Sequence, residues 1–277
     1  MKTLLRSARA AFVFLTRIPV GGFPYSPDEW RWASGWFPFV GLAVGALCAA
    51  CWALASPLGP WVAGMTALVA SILLTGAFHE DGLADTADAL GGAYDRETVF
   101  TILKDSRVGA FGAFALVISI AFRLVLLAAM GPVAPAALVL AHCVARVGPV
   151  WLMAALPYVS GEEAKNRRIA RAGVAQAVMA GVIGVGGGAL VSAGAVGVTG
   201  ALAAGGAMTA ATVFCGWRFR ARTDGVTGDF LGAAEQVNEI VILLAVLAAG
   251  AAAGAEVGGL AWGSGSPGSA GSPGLIP

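Results

Sequence analysis

The stretch GAFGAFALVISIAFRLVLLAAMG, residues 109 to 131, contains one charged side chain, Arg123. An α-helix rises about 1.5 Å per residue, so about 20 apolar residues cross the ~30 Å hydrocarbon core of a membrane. The stretch is therefore long and apolar enough to form a membrane-spanning helix.

Runs of the same kind recur along the chain. The protein is 58% hydrophobic and only 12% charged, whereas soluble domains carry about 25% charged residues. These features predict an all-α polytopic integral membrane bundle of about seven transmembrane helices. The uncharged or nearly uncharged runs lie at 34 to 55, 60 to 78, 109 to 131, 134 to 157, 173 to 195, 199 to 217 and 240 to 260.

The connections between these runs separate by charge. Those at 56 to 60, 131 to 135 and 196 to 200 carry no charged residue, whereas the alternate connections and the N-terminal segment hold fifteen of the seventeen basic residues. Basic residues concentrate on the cytoplasmic side of membrane proteins. The sequence therefore predicts a membrane protein whose charged connections face the cytoplasm.

The two ends of the chain differ from its middle. Residues 1 to 20 combine basic and apolar side chains, a pattern typical of an amphipathic helix at a membrane surface. We expect one membrane-embedded catalytic domain over 1 to 260 and a disordered Gly/Ser/Pro-rich tail over 261 to 277. The net charge of only +1 gives no support for nucleic acid as a partner.

The segment HEDGLADTADALGG, residues 79 to 92, places four carboxylates within nine positions. If it is helical, Asp81, Asp85 and Asp88 stand at i, i+4 and i+7 and share an arc of about 60°. Like charges at this spacing destabilise a helix, and a divalent cation would offset the repulsion. Carboxylate oxygens suit Mg²⁺, so a magnesium site is one interpretation and a solvated acidic face is the other.

Two polar segments accompany the acidic one. Lys104 and Arg107 follow it closely and could hold phosphate, although a basic cytoplasmic loop explains them equally well. The segment 218 to 239 again combines acids, bases and glycines, and its Asp224 and Asp229 could supply further oxygen ligands or ordinary turn residues.

Two arginines, Arg123 and Arg146, lie well inside predicted spans. A charge in this position costs at least ~2.5 kcal/mol on insertion scales and indicates a functional site. Both arginines need acidic partners, either protein carboxylates or an anionic substrate. His142 lies one turn from Arg146 and is interpreted as a packing residue, whereas His79 could carry a proton or cap the polar end of the second span.

Three segments in order, TGAFHEDGLADTADALGG, ILKDSRVGAFG and GVTGDFLGAAEQVNE, closely resemble signature segments of the cobalamin synthase family, the adenosylcobinamide-GDP ribazoletransferases. FLTRIPV near the N-terminus and Arg146 add to the resemblance, which covers roughly residues 10 to 245. The segment SGEEAKNRR, after the fourth run, departs from the family pattern, as does the C-terminal tail.

The resemblance implies a Mg²⁺-dependent enzyme of the bacterial inner membrane that joins adenosylcobinamide-GDP to α-ribazole or its 5′-phosphate and releases GMP. It does not specify the oligomeric state, and a homo-oligomer is one possibility. The implied metal ligands are Asp81, Asp85 and Asp88. The implied catalytic residues are His79, Glu80 and Asp81, and either Glu80 or His79 would accept the hydroxyl proton. The implied substrate-binding residues are Lys104, Arg107, Arg146, Asp224 and Asp229.

Two other functions compete with this one. A Mg²⁺-dependent transferase acting on a prenyl or lipid-headgroup diphosphate would use similar carboxylates, but the chain lacks the aspartate spacings of those enzymes. A transporter would use Arg123 and Arg146 as gating or counter-ion residues and predicts polar interruptions in several spans. Most runs here are free of such interruptions.

Overall fold

The computed structural model of the protein describes residues 2–159 and 172–253, which are almost entirely helical. Short 3₁₀ turns join several helices, and an isolated bridge pairs Tyr158 with Val226. The helices are α1 (Lys2–Leu15), α2 (Pro27–Ala33), α3 (Phe37–Ala55), α4 (Pro60–Thr75), α5 (Phe78–Gly92), α6 (Arg96–Ile102), α7 (Ala110–Met130), α8 (Ala134–Ala145), α9 (Val147–Ala155), α10 (Val174–Ala195), α11 (Gly197–Thr223) and α12 (Gly228–Ala252).

The all-α membrane architecture is confirmed. Among the described residues, four helical segments are long and apolar enough to cross a membrane, and the bent pair α4 and α5 would add a fifth. This number is lower than the seven spans expected from the sequence. The four segments are Pro27–Leu58, Ala110–Ala155, Gly197–Thr223 and Gly228–Ala252.

Two features account for the lower number. Two of the predicted runs fall in the single segment Ala110–Ala155, whose 46 residues are about twice what one crossing needs. Regular helix is interrupted within it at Gly131, where φ is +52°. In addition, α10 qualifies only as a shorter apolar helix over Val174–Gly188. In the described part of the chain, every predicted run contains helix, but not every run qualifies as a separate span.

Glycines with positive φ lie in the three uncharged connections. The φ angles are +101° at Gly59, +52° at Gly131 and +70° at Gly197. Side chains other than glycine rarely adopt this region. These glycines explain how short connections without charge end one helix and start the next.

The chain bends by 89° between α4 and α5. Gly76 and Ala77 both adopt the left-handed conformation at the bend, with φ of +67° and +58°. Helix α5 then runs through the acidic segment, so the prediction that its aspartates share one helix is confirmed. The bend turns α5 away from the axis of α4.

Glycines also allow close packing at two helix crossings. On α3, a side chain at Gly41 or Gly45 would collide with the backbone of α8 around His142 and Val139. Helix α5 meets α12 in the same way. A Cβ at Gly82 would lie 2.8 Å from the carbonyl oxygen of Asp229, so the first and third signature segments are in direct contact.

The connections predicted to share the cytoplasmic side contact one another. Arg6 on α1 pairs with Glu29 on α2 at 2.5 Å. The backbone N–H of Arg17 donates to the carbonyl of Leu74 at the end of α4. The predicted N-terminal helix is confirmed as α1. Its position at a membrane surface stays a prediction.

Some sequence-based predictions concern residues outside the described part of the chain. They include the polar segment SGEEAKNRR and the tail 261 to 277. The basic residues in this group are Lys165, Arg167, Arg168 and Arg171.

The separation of charge can be tested by cysteine labelling in a variant without the four native cysteines. Ser56→Cys lies in an uncharged connection, and Ser106→Cys lies beside Arg107 in a basic one. We expect a membrane-impermeant maleimide to label position 56 from the periplasmic side of spheroplasts and position 106 only after the membrane is opened. The reverse pattern would overturn the predicted orientation.

Candidate active site

Helix α5 and the start of α12 bring three carboxylates together. Asp81 and Asp85 lie one turn apart on α5, and Asp229 lies in the first turn of α12 against Gly82. Asp81 and Asp229 both lie near enough to Asp85 for electrostatic repulsion. Among the described residues, Asp81 and Asp85 have no hydrogen-bond donor or basic partner for their carboxylates. We call Asp81, Asp85 and Asp229 the acidic cluster.

Asp88, the third acid on this face of α5, has a contact with another helix. One of its carboxylate oxygens accepts the backbone N–H of Gly109 at 2.7 Å and the other accepts that of Gly112 at 2.9 Å. Both N–H groups belong to the first turn of α7, where they have no partner within the helix. Asp88 therefore caps α7, and its assignment as a metal ligand stays a prediction.

The glycines of the segment SRVGAFG make this cap sterically feasible. A Cβ at Gly109 would lie 2.5 Å from Asp88 Oδ1, and one at Gly112 would collide with Oδ2. Side chains at either position would push the carboxylate away from the start of α7. The first and second signature segments are thus joined by one carboxylate and two glycines.

The basic residues between α6 and α7 are exposed. Lys104 extends into solvent, and Arg107 forms a two-pronged ion pair with Asp105, with the shortest N–O distance 2.6 Å. The side-chain hydrogen bond from Arg107, with a second from its backbone N–H, lowers the pKa of Asp105 to about 2. Asp105 is therefore ionised at neutral pH, and an incoming phosphate has to replace it on Arg107.

Asp224 is separate from the acidic cluster. It ends α11 in a left-handed conformation, and its carboxylate pairs with Arg96 of α6 at 3.1 Å. Both side chains are largely exposed. The contact attaches α6 to the connection between α11 and α12, and the substrate-binding assignment of Asp224 stays a prediction.

The two intramembrane arginines are completely enclosed by protein. Arg123 is 1% exposed and Arg146 is 2% exposed. Arg123 contacts Glu239 at 3.0 Å and Glu80 at 3.4 Å. Arg146 contacts Glu235 at 2.8 Å and Glu239 at 3.6 Å. The expectation that both arginines need acidic partners is met by three carboxylates of the protein itself.

Both histidines join the same group. His142 Nδ1 pairs with Glu239, and His79 Nδ1 lies 3.9 Å from Glu235. Three carboxylates face two guanidinium groups, so a proton on one histidine would balance the charge. We call the group the buried ionic network; its members are His79, Glu80, Arg123, His142, Arg146, Glu235 and Glu239.

Sequence reasoning did not single out Glu235 and Glu239. Both belong to GVTGDFLGAAEQVNE, which was quoted for its resemblance, and they stand at i and i+4. Two acids on one face of a long apolar helix require partners of opposite charge. Arg123 and Arg146 lacked partners in the same sequence, so pairing the two sets would have identified both glutamates.

The acidic cluster and the buried ionic network differ in how well they could bind a metal ion. In the described part of the chain, ligand atoms of His142, Glu235 and Glu239 approach within 4.8 Å of one another. Arg123 and Arg146 contact these same carboxylates and supply positive charge already. Among the described residues, the ligand atoms of the acidic cluster lie less close together, but no arginine contacts its carboxylates. It is therefore the better candidate for a cation.

A cavity opens beside the buried ionic network, between α1, α3, α5, α9 and α12. Its empty space is about 480 Å³, including the open mouth. Aromatic side chains form much of the wall, and the lining also includes three members of the network, His79, Arg146 and Glu235. The remaining lining residues are Phe14, Leu15, Phe37, Phe78, Pro149, Met153, Tyr158, Gly228, Leu231 and Gly232.

Replacing Asp88 tests its capping role. Asp88→Ala removes the acceptor of two backbone N–H groups, so we expect a loss of about 1–3 kcal/mol of stability. Asp81→Ala on the same helix removes no such bond and is the matched control. Thermal melting of the purified proteins in detergent measures both. Equal melting temperatures for the two variants would contradict the cap.

The buried ionic network predicts that the loss of stability on replacing Arg123 depends on whether the new side chain is charged. Arg123→Leu leaves Glu80 buried without its cation and removes one of the cations beside Glu239; breaking a buried ion pair typically costs about 3–5 kcal/mol. Arg123→Lys keeps the charge and should cost less. Thermal melting again provides the measurement. A Leu variant as stable as wild type would mean that the carboxylates are neutral or hydrated.

Known proteins with similar sequences identify the family of this chain. The model of the cobalamin-5-phosphate synthase family matches residues 7–247. An adenosylcobinamide-GDP ribazoletransferase of Leptothrix cholodnii is 41% identical over 261 residues, covering 90% of this chain and 98% of its own length. The enzyme of the same name from Vibrio cholerae is 36% identical over 250 residues, with 86% and 92% covered. No solved structure matches. The chain belongs to the cobalamin-5-phosphate synthase family.

Proposed function

We propose that the protein transfers the phosphocobinamide part of adenosylcobinamide-GDP to α-ribazole or its 5′-phosphate. A ribose hydroxyl oxygen bonds to the phosphorus that carries the cobinamide arm, and the bond from that phosphorus to the GMP oxygen breaks. GMP leaves with the bonding electrons, and the hydroxyl proton passes to a base. Membership of the family and the names of its relatives support this reaction over transport or another diphosphate substrate.

The observation that carries the site assignment is the acidic cluster at the junction of α5 and α12. Carboxylates that repel one another and lack a basic partner fit a divalent cation, and oxygen ligands favour Mg²⁺. Asp81 and Asp85 would hold the ion, with Asp229 joining them and Asp88 at the edge. When bound, the ion supplies charge stabilisation for the diphosphate.

The segment before α7 provides the positive charge of the site. Gly109 is held by Asp88 on α5, so the exposed segment containing Lys104 and Arg107 stays connected to the helix that carries the acidic cluster. We propose that Arg107 exchanges Asp105 for the diphosphate and that Lys104 adds a second contact. An arginine fork suits phosphate oxygens, and both cations oppose the charge that develops in the transition state.

His79 is the better placed of the two proposed bases. Glu80 is buried against Arg123, which keeps its charge paired and removes it from the cavity wall. His79 lies on that wall, near Glu235. We propose that His79 accepts the hydroxyl proton and that Glu80 acts by holding Arg123 in place.

The same reasoning gives the location of the reaction. The acidic cluster and the basic segment belong to the connections that carry the positive charge of the chain. Because this excess marks the cytoplasmic side, we propose that the active site faces the cytoplasm at the bacterial inner membrane.

Substitution in the acidic cluster tests the proposal. Asp81→Asn, Asp85→Asn and Asp229→Asn keep side-chain size but remove charge. We expect each to lower GMP release from adenosylcobinamide-GDP and α-ribazole by roughly a hundredfold or more, since each 1.36 kcal/mol of barrier is about tenfold in rate. Raised Mg²⁺ should restore part of the loss.

Glu97→Gln is the matched control, because Glu97 is an exposed acid on α6 outside the cluster. It should leave turnover and the Mg²⁺ optimum unchanged. If the three Asn variants behave like this control, the acidic cluster is only a solvated face.

A further inference from the structure

The cavity between α1, α3, α5, α9 and α12 has a wall of stacked and edge-packed rings. Phe14 stacks on Phe37 with ring centroids 5.8 Å apart, and it meets Phe78 edge-on at 5.2 Å. Phe78 in turn packs edge-on against His79 at 5.4 Å. Such a wall offers ring faces and edges to a flat aromatic ligand.

The polar groups of the cavity occupy one part of its lining. His79, Arg146 and Glu235 line the cavity and all belong to the buried ionic network. Within the described part of the chain, the buried Nε of Arg146 has no hydrogen-bond partner. A buried N–H without a partner is costly, so a ligand oxygen that accepts from it would bind favourably.

The cavity adjoins the acidic cluster through consecutive residues. Gly228 lines the cavity and Asp229 belongs to the cluster. On α5, His79 lines the cavity and Asp81, two residues later, belongs to the cluster. A ligand in the cavity is therefore next to the place where we locate the diphosphate, which suits the attacking substrate.

From these observations, and resting on the proposed function, we propose that this cavity binds α-ribazole, with its dimethylbenzimidazole base against the rings of Phe14, Phe37 and Phe78 and its ribose toward Arg146 and His79. The base is flat, bicyclic and almost entirely apolar, which matches the wall.

The other parts of the substrates fit less well. The edge of a guanine carries several donors and acceptors, and the part of the wall formed by Phe14, Phe37 and Phe78 would leave them without partners. The corrin ring is too large for the enclosed part of this cavity. The activated substrate would therefore lie outside, at the acidic cluster.

A pair of neighbouring substitutions on α9 tests the assignment. Met153 lines the cavity, whereas Ala154 lines a separate crevice with Trp151 and Val178. We expect Met153→Trp to raise the KM for α-ribazole at least tenfold while the KM for adenosylcobinamide-GDP stays within twofold. Ala154→Trp adds the same side chain and should change neither value.

A second, smaller substitution tests the same cavity in case the Met153 variant misfolds. Phe14→Leu removes one ring of the wall while keeping an apolar side chain, and it should raise the KM for α-ribazole about threefold to tenfold. Dimethylbenzimidazole alone should compete with α-ribazole in equilibrium dialysis with the wild-type protein, and guanosine should not.

The outcomes separate this inference from the proposed function. If wild type releases no GMP from the two substrates, the proposed function fails. If wild type releases GMP but Met153→Trp and Phe14→Leu keep the wild-type KM for α-ribazole, the cavity is not its site. Competition by guanosine instead of dimethylbenzimidazole would assign the cavity to the nucleotide and also overturn the inference.

Discussion

The carboxylate of Glu239 lies among Arg123, Arg146 and His142 inside the bundle, and the packing of the catalytic region depends on this contact. Charges inside a membrane protein are retained only where they are paired or face a cavity. Glu239 on α12 thereby fixes α7 through Arg123 and the end of α8 through Arg146 and His142. Glu80 adds α5 to the same group through Arg123.

Helix α5 is consequently held near both ends. Its first turn contributes His79 and Glu80 to the buried ionic network, and its last part is fixed to α7 by Asp88. Asp81 and Asp85 lie between these attachments and form no stabilising contact of their own among the described residues. Their position is set by neighbours on the same helix, so repelling carboxylates can be kept close together where a cation would use them.

Hydrophobic runs and charge placement predicted the helices, the acidic face of α5 and the need of Arg123 and Arg146 for acidic partners. They could not predict the bend at Gly76 and Ala77, because left-handed backbone at an alanine depends on packing with other parts of the chain. The capping role of Asp88 was also hidden. Its acceptor geometry depends on Gly109 and Gly112, which are more than 20 residues away in the sequence.

Stability alone does not account for a buried network of this size, because apolar residues of similar volume often stabilise a protein as well or better. The network must therefore be explained by what its geometry provides. It places Arg146, Glu235 and His79 on the wall of a cavity otherwise lined mainly by apolar side chains, where fixed charges act without the screening of water. The same α5 and α12 that carry these groups also carry the acidic cluster. The crossing of α5 and α12 is made close by Gly82 and Gly232, and it keeps the proposed base beside the proposed metal site. The two sites nevertheless differ in environment, because the base lies beside a mostly apolar cavity and the metal site is polar and open.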